Sequence, residues 1–291
     1  MDAQSTDRTA NAPMTFSPIV AEQMQGGGDF LVRSIDLAAV GPHASPVAVL
    51  DNFRVRGRPF PPHPHAGFSA VTYVFEDSEG DLRSRDSLGN DLVTGPGGVV
   101  WTQAGRGVIH EEMPARSDRE LHGLQIFVNL RSHNKLIPPS VFRLTKDQVP
   151  EWDTSTGNRV RVVAGSFESV SSPLQPAEPF TMLDAQLLHE IGFTLERGRN
   201  ALIYVLDGAV LVRAGDRAEV VTAKHALGLG GGSGLVTVHT DPHAHIILLS
   251  GEQIQEPVLV HGSFIMNDVY QVEQAVLRYE AGEMGRLTPL R

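Results

Sequence analysis

The chain has 291 residues, enough for two domains of ordinary size, and its 34 acidic against 24 basic side chains give a net charge of −10. That balance argues against direct binding to nucleic acid, whose phosphates repel an acidic surface. With no cysteine there can be no disulfide, zinc finger, iron–sulfur cluster or thiol nucleophile, and no apolar stretch approaches the roughly 18 residues of a membrane span.

In chain order, residues 1–13 are polar and lack a hydrophobic segment, so they read as a frayed tail rather than a secretory signal. Together with the absence of cysteine this predicts a soluble, cytoplasmic protein. Short segments bounded by Gly and Pro then read as strands: Val47–Phe53, Phe68–Phe75, Gly98–Thr102 and Gly123–Leu130. In the last of these Leu124, Ile126 and Val128 alternate with Gln125, Phe127 and Asn129. One side of that strand suits a core and the other a cavity, which makes Gln125 and Phe127 candidate pocket liners.

Between Arg131 and Asn158 the pattern lapses into Pro138-Pro139, Pro150 and Gly157, predicting a linker over 136–158. Beyond it Arg159–Ala164, Ala201–Leu206, Val210–Arg213 and Ala244–Leu249 read as strands, with Asp207-Gly208 as a hairpin turn. Leu195–Gly215 resembles a weak second copy of the first half's rhythm. The glycines from Gly228 to Gly234 lack the strand-to-helix setting and Lys-Ser/Thr of a phosphate loop and read as a turn. Asp268 and Gln271 form a capping box for one helix over about 268–281, with Val269, Val272, Val276 and Tyr279 at helical spacing and Gly282 to stop it. The fold class is all-β: several short strands with turn signals between them.

The chemistry concentrates in His63-Pro64-His65 and His110-Glu111-Glu112. Residues i and i+2 of a strand share a face roughly 7 Å apart, so each pair can close on one ion. Imidazole with carboxylate suits Fe(II), Mn(II), Zn(II) or Ni(II) rather than a soft thiolate-bound metal. Twelve histidines will produce such pairs by chance, and His243-Ala244-His245 shows the hazard: it runs straight into an apolar strand with no His-x-Glu partner downstream. His189-Glu190 is adjacent, which sends the side chains to opposite faces. By the same alternation Glu111 faces away from Glu112 and is expected in solvent.

His63-Pro64-His65-Ala66-Gly67-Phe68, Asp86-Ser87-Leu88-Gly89-Asn90 and Gln103 to Pro114 together resemble the pirin family of bicupins. So do His122 to Leu130 and His261-Gly262-Ser263-Phe264-Ile265-Met266-Asn267. The resemblance implies two stacked cupin-type β-barrels: an N-terminal barrel over 14–135 holding the metal, the 136–158 linker, and a metal-free C-terminal barrel over 159–291 ending in the helix. It places the ligands on His63, His65, His110 and Glu112. Fe(II) is the expected ion, with Mn, Zn, Ni, Co or Cu as alternatives. Where the family has Arg after its second histidine and Glu three residues later, this chain has Ala66 and Ser69, which alters the charge at the cavity mouth and so bears on the substrate. The implied activity is that of a quercetin 2,3-dioxygenase, opening a flavonol-like ring with O2, with Glu112 as ligand and base. The alternative is a non-enzymatic, metal- or redox-responsive regulator that binds a transcription factor or metabolic enzyme. Neither reading needs nucleic acid, a membrane or more than a monomer.

Overall fold

The computed structural model describes residues 13–58 and 60–290, so nearly all of the tail expected over 1–13 lies outside it. In the first half Phe30–Ile35, Val47–Val55, Leu121–Asn129, Phe68–Val74, Val99–Gln103 and Ser140–Leu144 lie side by side in that order, all antiparallel. A second, four-stranded sheet runs His63–His65, Val108–Pro114, Leu82–Asp86, Asp91–Thr94. Side chains from both sheets line one cavity, which makes this half a barrel with a hollow interior.

The second half repeats the plan. Glu151–Asp153, Arg159–Ala164, Phe180–Leu187, Ala244–Glu252, Arg199–Ala214 and His225–Gly230 form its large sheet. Ile191–Leu195, Gly234–His239, the far end of Arg199–Ala214 and Arg217–Thr222 form the smaller one. Val20–Gly27 pairs with both Phe30–Ile35 and His225–Ala226 and ties the halves together.

The alternation in Leu121–Asn129 decides where the barrels meet. Leu124, Ile126 and Val128 are buried in one core with Tyr73 and Trp101 of the first half and Met182, Leu202, Tyr204 and Ile247 of the second. At the same seam the Tyr73 hydroxyl donates to Asp184 at 2.6 Å, and buried Arg161 donates to that hydroxyl at 2.6 Å. Inside the second barrel, Val160, Val162, Leu183, Ile203, Val205, Val212, Val238 and Ile246 pack against one another and fill the interior.

Three local expectations change. The Asp207-Gly208 hairpin is not formed: Arg199–Ala214 is one strand whose register shifts between Val205 and Asp207. A bulge with Gly208 at φ +76° bends the chain from the large sheet to the small one, a use of glycine that resembles a turn in sequence. The glycine run straddles a strand end, since Gly228 and Gly230 belong to His225–Gly230, where His43 at the first and Asn200 at the second pack too closely for side chains. The segment 136–158 carries two edge strands, Ser140–Leu144 pairing back to the first half and Glu151–Asp153 forward to the second.

The helix is Val269–Glu280, capped by Asp268, whose carboxylate accepts from the Gln271 N–H at 2.8 Å. Val272, Ala275 and Val276 pack inward, whereas Val269 and Tyr279 of the expected stripe are exposed.

Glu76 bridges the halves: Arg159 donates to both its oxygens, at 2.6 and 3.1 Å, and Lys146 lies at 2.9 Å. Arg159 beside it, more than burial opposes, holds its carboxyl down to about 2. A carboxylate depressed on folding stabilises above its unfolded value, near 4.5, and that contribution is lost as pH falls towards 2. In denaturant titrations, the stability gap between wild type and Glu76→Gln should therefore be full at pH 6 and shrink steadily between pH 4.5 and 2. A pH-independent gap would deny the ion pair this role.

Candidate metal centre

His63 and His65 share a face of a three-residue strand, and antiparallel pairing sets His63 directly opposite His110 and His65 opposite Val108. Three rings therefore converge from two strands, with centroids 4.6–4.7 Å apart. One ring nitrogen from each lies within 4.8 Å of the others, the one such three-residue group among the described residues.

Tautomer and charge suit metal ligation. His63 Nδ1 is 3.0 Å from the Pro61 carbonyl, which can only accept, so Nδ1 carries the hydrogen, and Nε2 is the nitrogen left to face an ion. Burial drives the His65 imidazole down to about 3, assisted by His63 and opposed in part by the Ser263 backbone. Burial likewise holds His110 well below its ordinary value, with His65 and His63 adding to it. Neutral imidazole is the form that binds a metal. The Nδ1 atoms of His65 and His110 are buried with no hydrogen-bond partner, a costly arrangement unless something else engages these rings. The residues present thus fit a divalent ion held by nitrogen donors.

Glu112 lies two residues beyond His110 on the same strand face, opposite Ser84, and lines the same cavity, but its carboxylate is not part of the compact group of nitrogens. Burial pushes it up to about 7, against hydrogen bonds from Thr72 and Ser84. The Thr72 hydroxyl is 2.5 Å from Glu112 Oε2 and 3.2 Å from Gln125 Oε1, while Gln125 Nε2 donates to the Val71 carbonyl at 3.0 Å. Thr72 was not singled out from sequence; its place opposite Gln125 in a neighbouring strand is a matter of register alone.

Gln125 and Phe127 line the cavity, whose volume is about 410 Å³. Its walls are mainly Phe30, Phe53, Phe60, Val55, Leu82 and Leu121, with Asp51 and Ser263 among the few polar groups. Asp51 sits directly across from Gln125, and burial pushes its carboxyl upward, partly offset by Ser34. An acid inside the Val47–Val55 strand was the signal that could have found it.

Glu111 corrects the expectation of a solvated side chain. It is 2% exposed and ion-paired with Arg85, its cross-strand partner, while Arg85 also reaches the Thr288 carbonyl at 3.3 Å. The C-terminal segment covers the strand face that would otherwise meet water. The other histidine pair goes elsewhere: His243 meets Asp207 at the surface and His245 meets Asp184 at 2.5 Å. No helix among the described residues is long and apolar enough to cross a membrane.

Comparison with known proteins agrees with this architecture. Residues 19–128 match the family model Pirin, and residues 182–285 match the Pirin C-terminal cupin domain. Human pirin is 32% identical over 277 residues, covering 94% of this chain and 93% of that protein. A Pseudomonas aeruginosa protein named as a candidate quercetin 2,3-dioxygenase is 34% identical over 230 residues, 77% of this chain and 79% of that one. A crystal structure of quercetin 2,3-dioxygenase from Acinetobacter baumannii superposes with a TM-score of 0.81 at 25% identity, covering 95% of this chain and all of that one. A bacterial pirin of Escherichia coli in complex with nickel(II) shares the fold, with a TM-score of 0.63 at 19% identity over 83% of this chain and all of that one.

Two outcomes are expected. Metal-stripped protein should take up one equivalent of nickel(II) by calorimetry, and His110→Ala should weaken that binding by more than about 100-fold, since losing a ligand costs more than losing its supporting partner. Equal binding by the variant would exclude the cluster. Arg85→Met leaves the buried Glu111 without its counter-ion and should lower the unfolding free energy by about 3 kcal/mol in denaturant titration; a change below about 0.5 kcal/mol would return Glu111 to solvent.

Proposed function

The chain belongs to the pirin family, and from that premise we propose that it is a metal-dependent dioxygenase of the quercetin 2,3-dioxygenase type, acting on a flavonol-like substrate with O2. The observation that carries this reading is the meeting of three clustered imidazoles with an apolar, aromatic-lined cavity of about 410 Å³. That volume falls in the range of small-molecule sites, and its few polar groups suit a flat ring system bearing a few oxygens.

His63, His65 and His110, with Glu112 as the fourth donor, would hold one divalent ion, for which Fe(II) is the proposed native choice and Mn, Zn, Ni, Co or Cu are alternatives of compatible chemistry. Bound there, the ion supplies Lewis acidity and a redox-capable centre beside the substrate. The protein's own part is binding and proton transfer. Phe30, Phe53 and Phe127 offer ring faces and edges to a planar aromatic and exclude water from it. Gln125 and Asp51, side by side across two strands, offer hydrogen bonds to its oxygens.

Glu112 receives the proton of the enol hydroxyl as the substrate docks. The O–H bond breaks, its electron pair stays on the substrate oxygen, and the proton passes to a Glu112 carboxylate oxygen. Thr72 keeps that carboxylate aimed while this happens. The resulting electron-rich enolate is the species that reacts with O2, the oxidant of the reaction. The two atoms of O2 form C–O bonds to ring carbons as the C–C bonds between those carbons break, and the ring opens.

Metal-replete protein, its occupancy checked by elemental analysis, should bleach the visible absorbance of quercetin in air and not under argon. Glu112→Gln, compared at equal metal content, should lower turnover by at least about 100-fold, the contribution of a positioned base. Unchanged quercetin absorbance with fully loaded wild type would end the dioxygenase reading.

A further inference from the structure

The metal cavity is not built by the first barrel alone. Gly262 and Ser263, from the end of the second half, line it together with the histidines. They form the turn between Leu259–His261 and Phe264–Met266, a hairpin lying beyond the last strand of the second barrel. This hairpin returns to the first barrel and docks on the residue after a proposed ligand: Ala66 bridges Phe264, the Ala66 N–H points to the Ser263 carbonyl at 3.4 Å, and the Ile265 N–H donates to the Ala66 carbonyl at 3.0 Å.

The chain that follows extends the contact. Ala66, Phe264, Met266, Val272, Ala275 and Met284 form one small core, with Ile109 packed against it. Met284 accepts from the Ser87 hydroxyl at 2.6 Å, and that hydroxyl in turn accepts from the Ile109 N–H, next to His110, at 3.1 Å. Both strands that carry the histidines are thus backed by residues of the C-terminal segment.

One side chain joins these parts. Lys135 is completely buried, 0% exposed, and forms no ion pair among the described residues. Its ammonium instead spends its three protons on three neutral oxygens: the Gly67 carbonyl at 2.9 Å, the Ile265 carbonyl at 2.8 Å and Asn129 Oδ1 at 2.7 Å. Three donors meet three acceptors, so the cation is fully satisfied and each acceptor gains a charge-assisted bond. Gly67 and Ile265 approach so closely that a Cβ on Gly67, at φ +84°, would lie 2.0 Å from the Ile265 carbonyl oxygen. Both carbonyl oxygens lie within 2.9 Å of the same ammonium, which holds the two backbones together at that approach. Two residues on, the Ile137 carbonyl accepts from the Arg106 N–H at 2.9 Å in the loop leading to His110. A merely structural lysine would more commonly reach solvent or pair with a carboxylate.

We propose that Lys135 is a positioning residue of the metal centre, its buried ammonium clamping the 259–267 hairpin onto the Ala66-Gly67 turn so that the C-terminal segment closes the cavity and holds His65 in place. This rests on the metal-centre reading, though not on flavonol turnover.

The test uses the full-length protein loaded with nickel(II) and challenged with excess chelator, with hydrogen exchange followed by mass spectrometry in parallel. Lys135→Met, similar in length but apolar, leaves three oxygens without their donor. It should release nickel about tenfold faster, within the range for losing a supporting partner, with exchange accelerated in peptides covering 63–67 and 259–267 and not in the second barrel. Asn129→Ala removes one of the three acceptors and should show the same pattern more weakly; it decides the matter if Lys135→Met does not fold. Wild-type release rates in a folded variant would overturn the proposal, as would exchange that rises uniformly along the chain, the mark of general destabilisation. These readouts hold even if quercetin is untouched, and wild type that binds no nickel would instead defeat the centre itself.

Discussion

Three imidazoles within contact distance in a buried site form the constraint on which the remaining structure depends. Two charged rings at such a separation would repel by about 4 kcal/mol at an effective dielectric of 20. Burial lowers the imidazoles of His65 and His110, which relieves that repulsion, and the same burial acts with opposite sign on Glu112. One cause thus moves both kinds of group, lowering the imidazoles of His65 and His110 and raising the carboxyl of Glu112. The apolar lining from Phe30 to Phe127 is therefore more than a shape for substrate, because it sets the charge state of the groups at its end.

Why only one barrel carries such a site follows from what points inward. In the first, the inward face of Leu121–Asn129 presents Gln125 and Phe127, and the opposing sheet presents His63, His65, His110 and Glu112. These do not fill the volume. In the second, the inward faces present aliphatic side chains that pack together in one buried cluster. The outward face of the first barrel's central strand is in turn the core of the seam between barrels. Substituting within Leu124, Ile126 and Val128 would thus disturb the seam, whereas substituting within Gln125 and Phe127 would disturb the cavity, although the two sets interleave residue by residue.

What the sequence revealed and what it withheld divide along physical lines. Period-two alternation and i, i+2 ligand spacing are properties of a single strand, so the histidine cluster, the two faces of Leu121–Asn129 and the capped terminal helix could all be read locally. Glu111 could not. Alternation correctly turned it away from Glu112, but whether that outer face meets water depends on a segment some 170 residues later in the chain, which brings Thr288 over Arg85. Asp207-Gly208 failed for a related reason. A positive-φ glycine serves equally in a hairpin turn and in a bulge, and only pairing with Ala244–Glu252 distinguishes them. Thr72 and Lys135 have no local signature, since each acts through residues that register and chain crossing bring near.

The C-terminal segment also changes what the two halves mean. By chain order residues 259–290 continue the second barrel; by contact they belong to the first, lining its cavity at Gly262 and Ser263 and packing behind His110 through Ile109. A chain that leaves one barrel, completes another and returns to cap the first ties the two together. The second barrel thus reaches the histidine cavity through this segment, by Gly262 and Ser263. A barrel filled with aliphatic side chains then has a definite use. It is the body from which the closing hairpin is held, its interior closely packed.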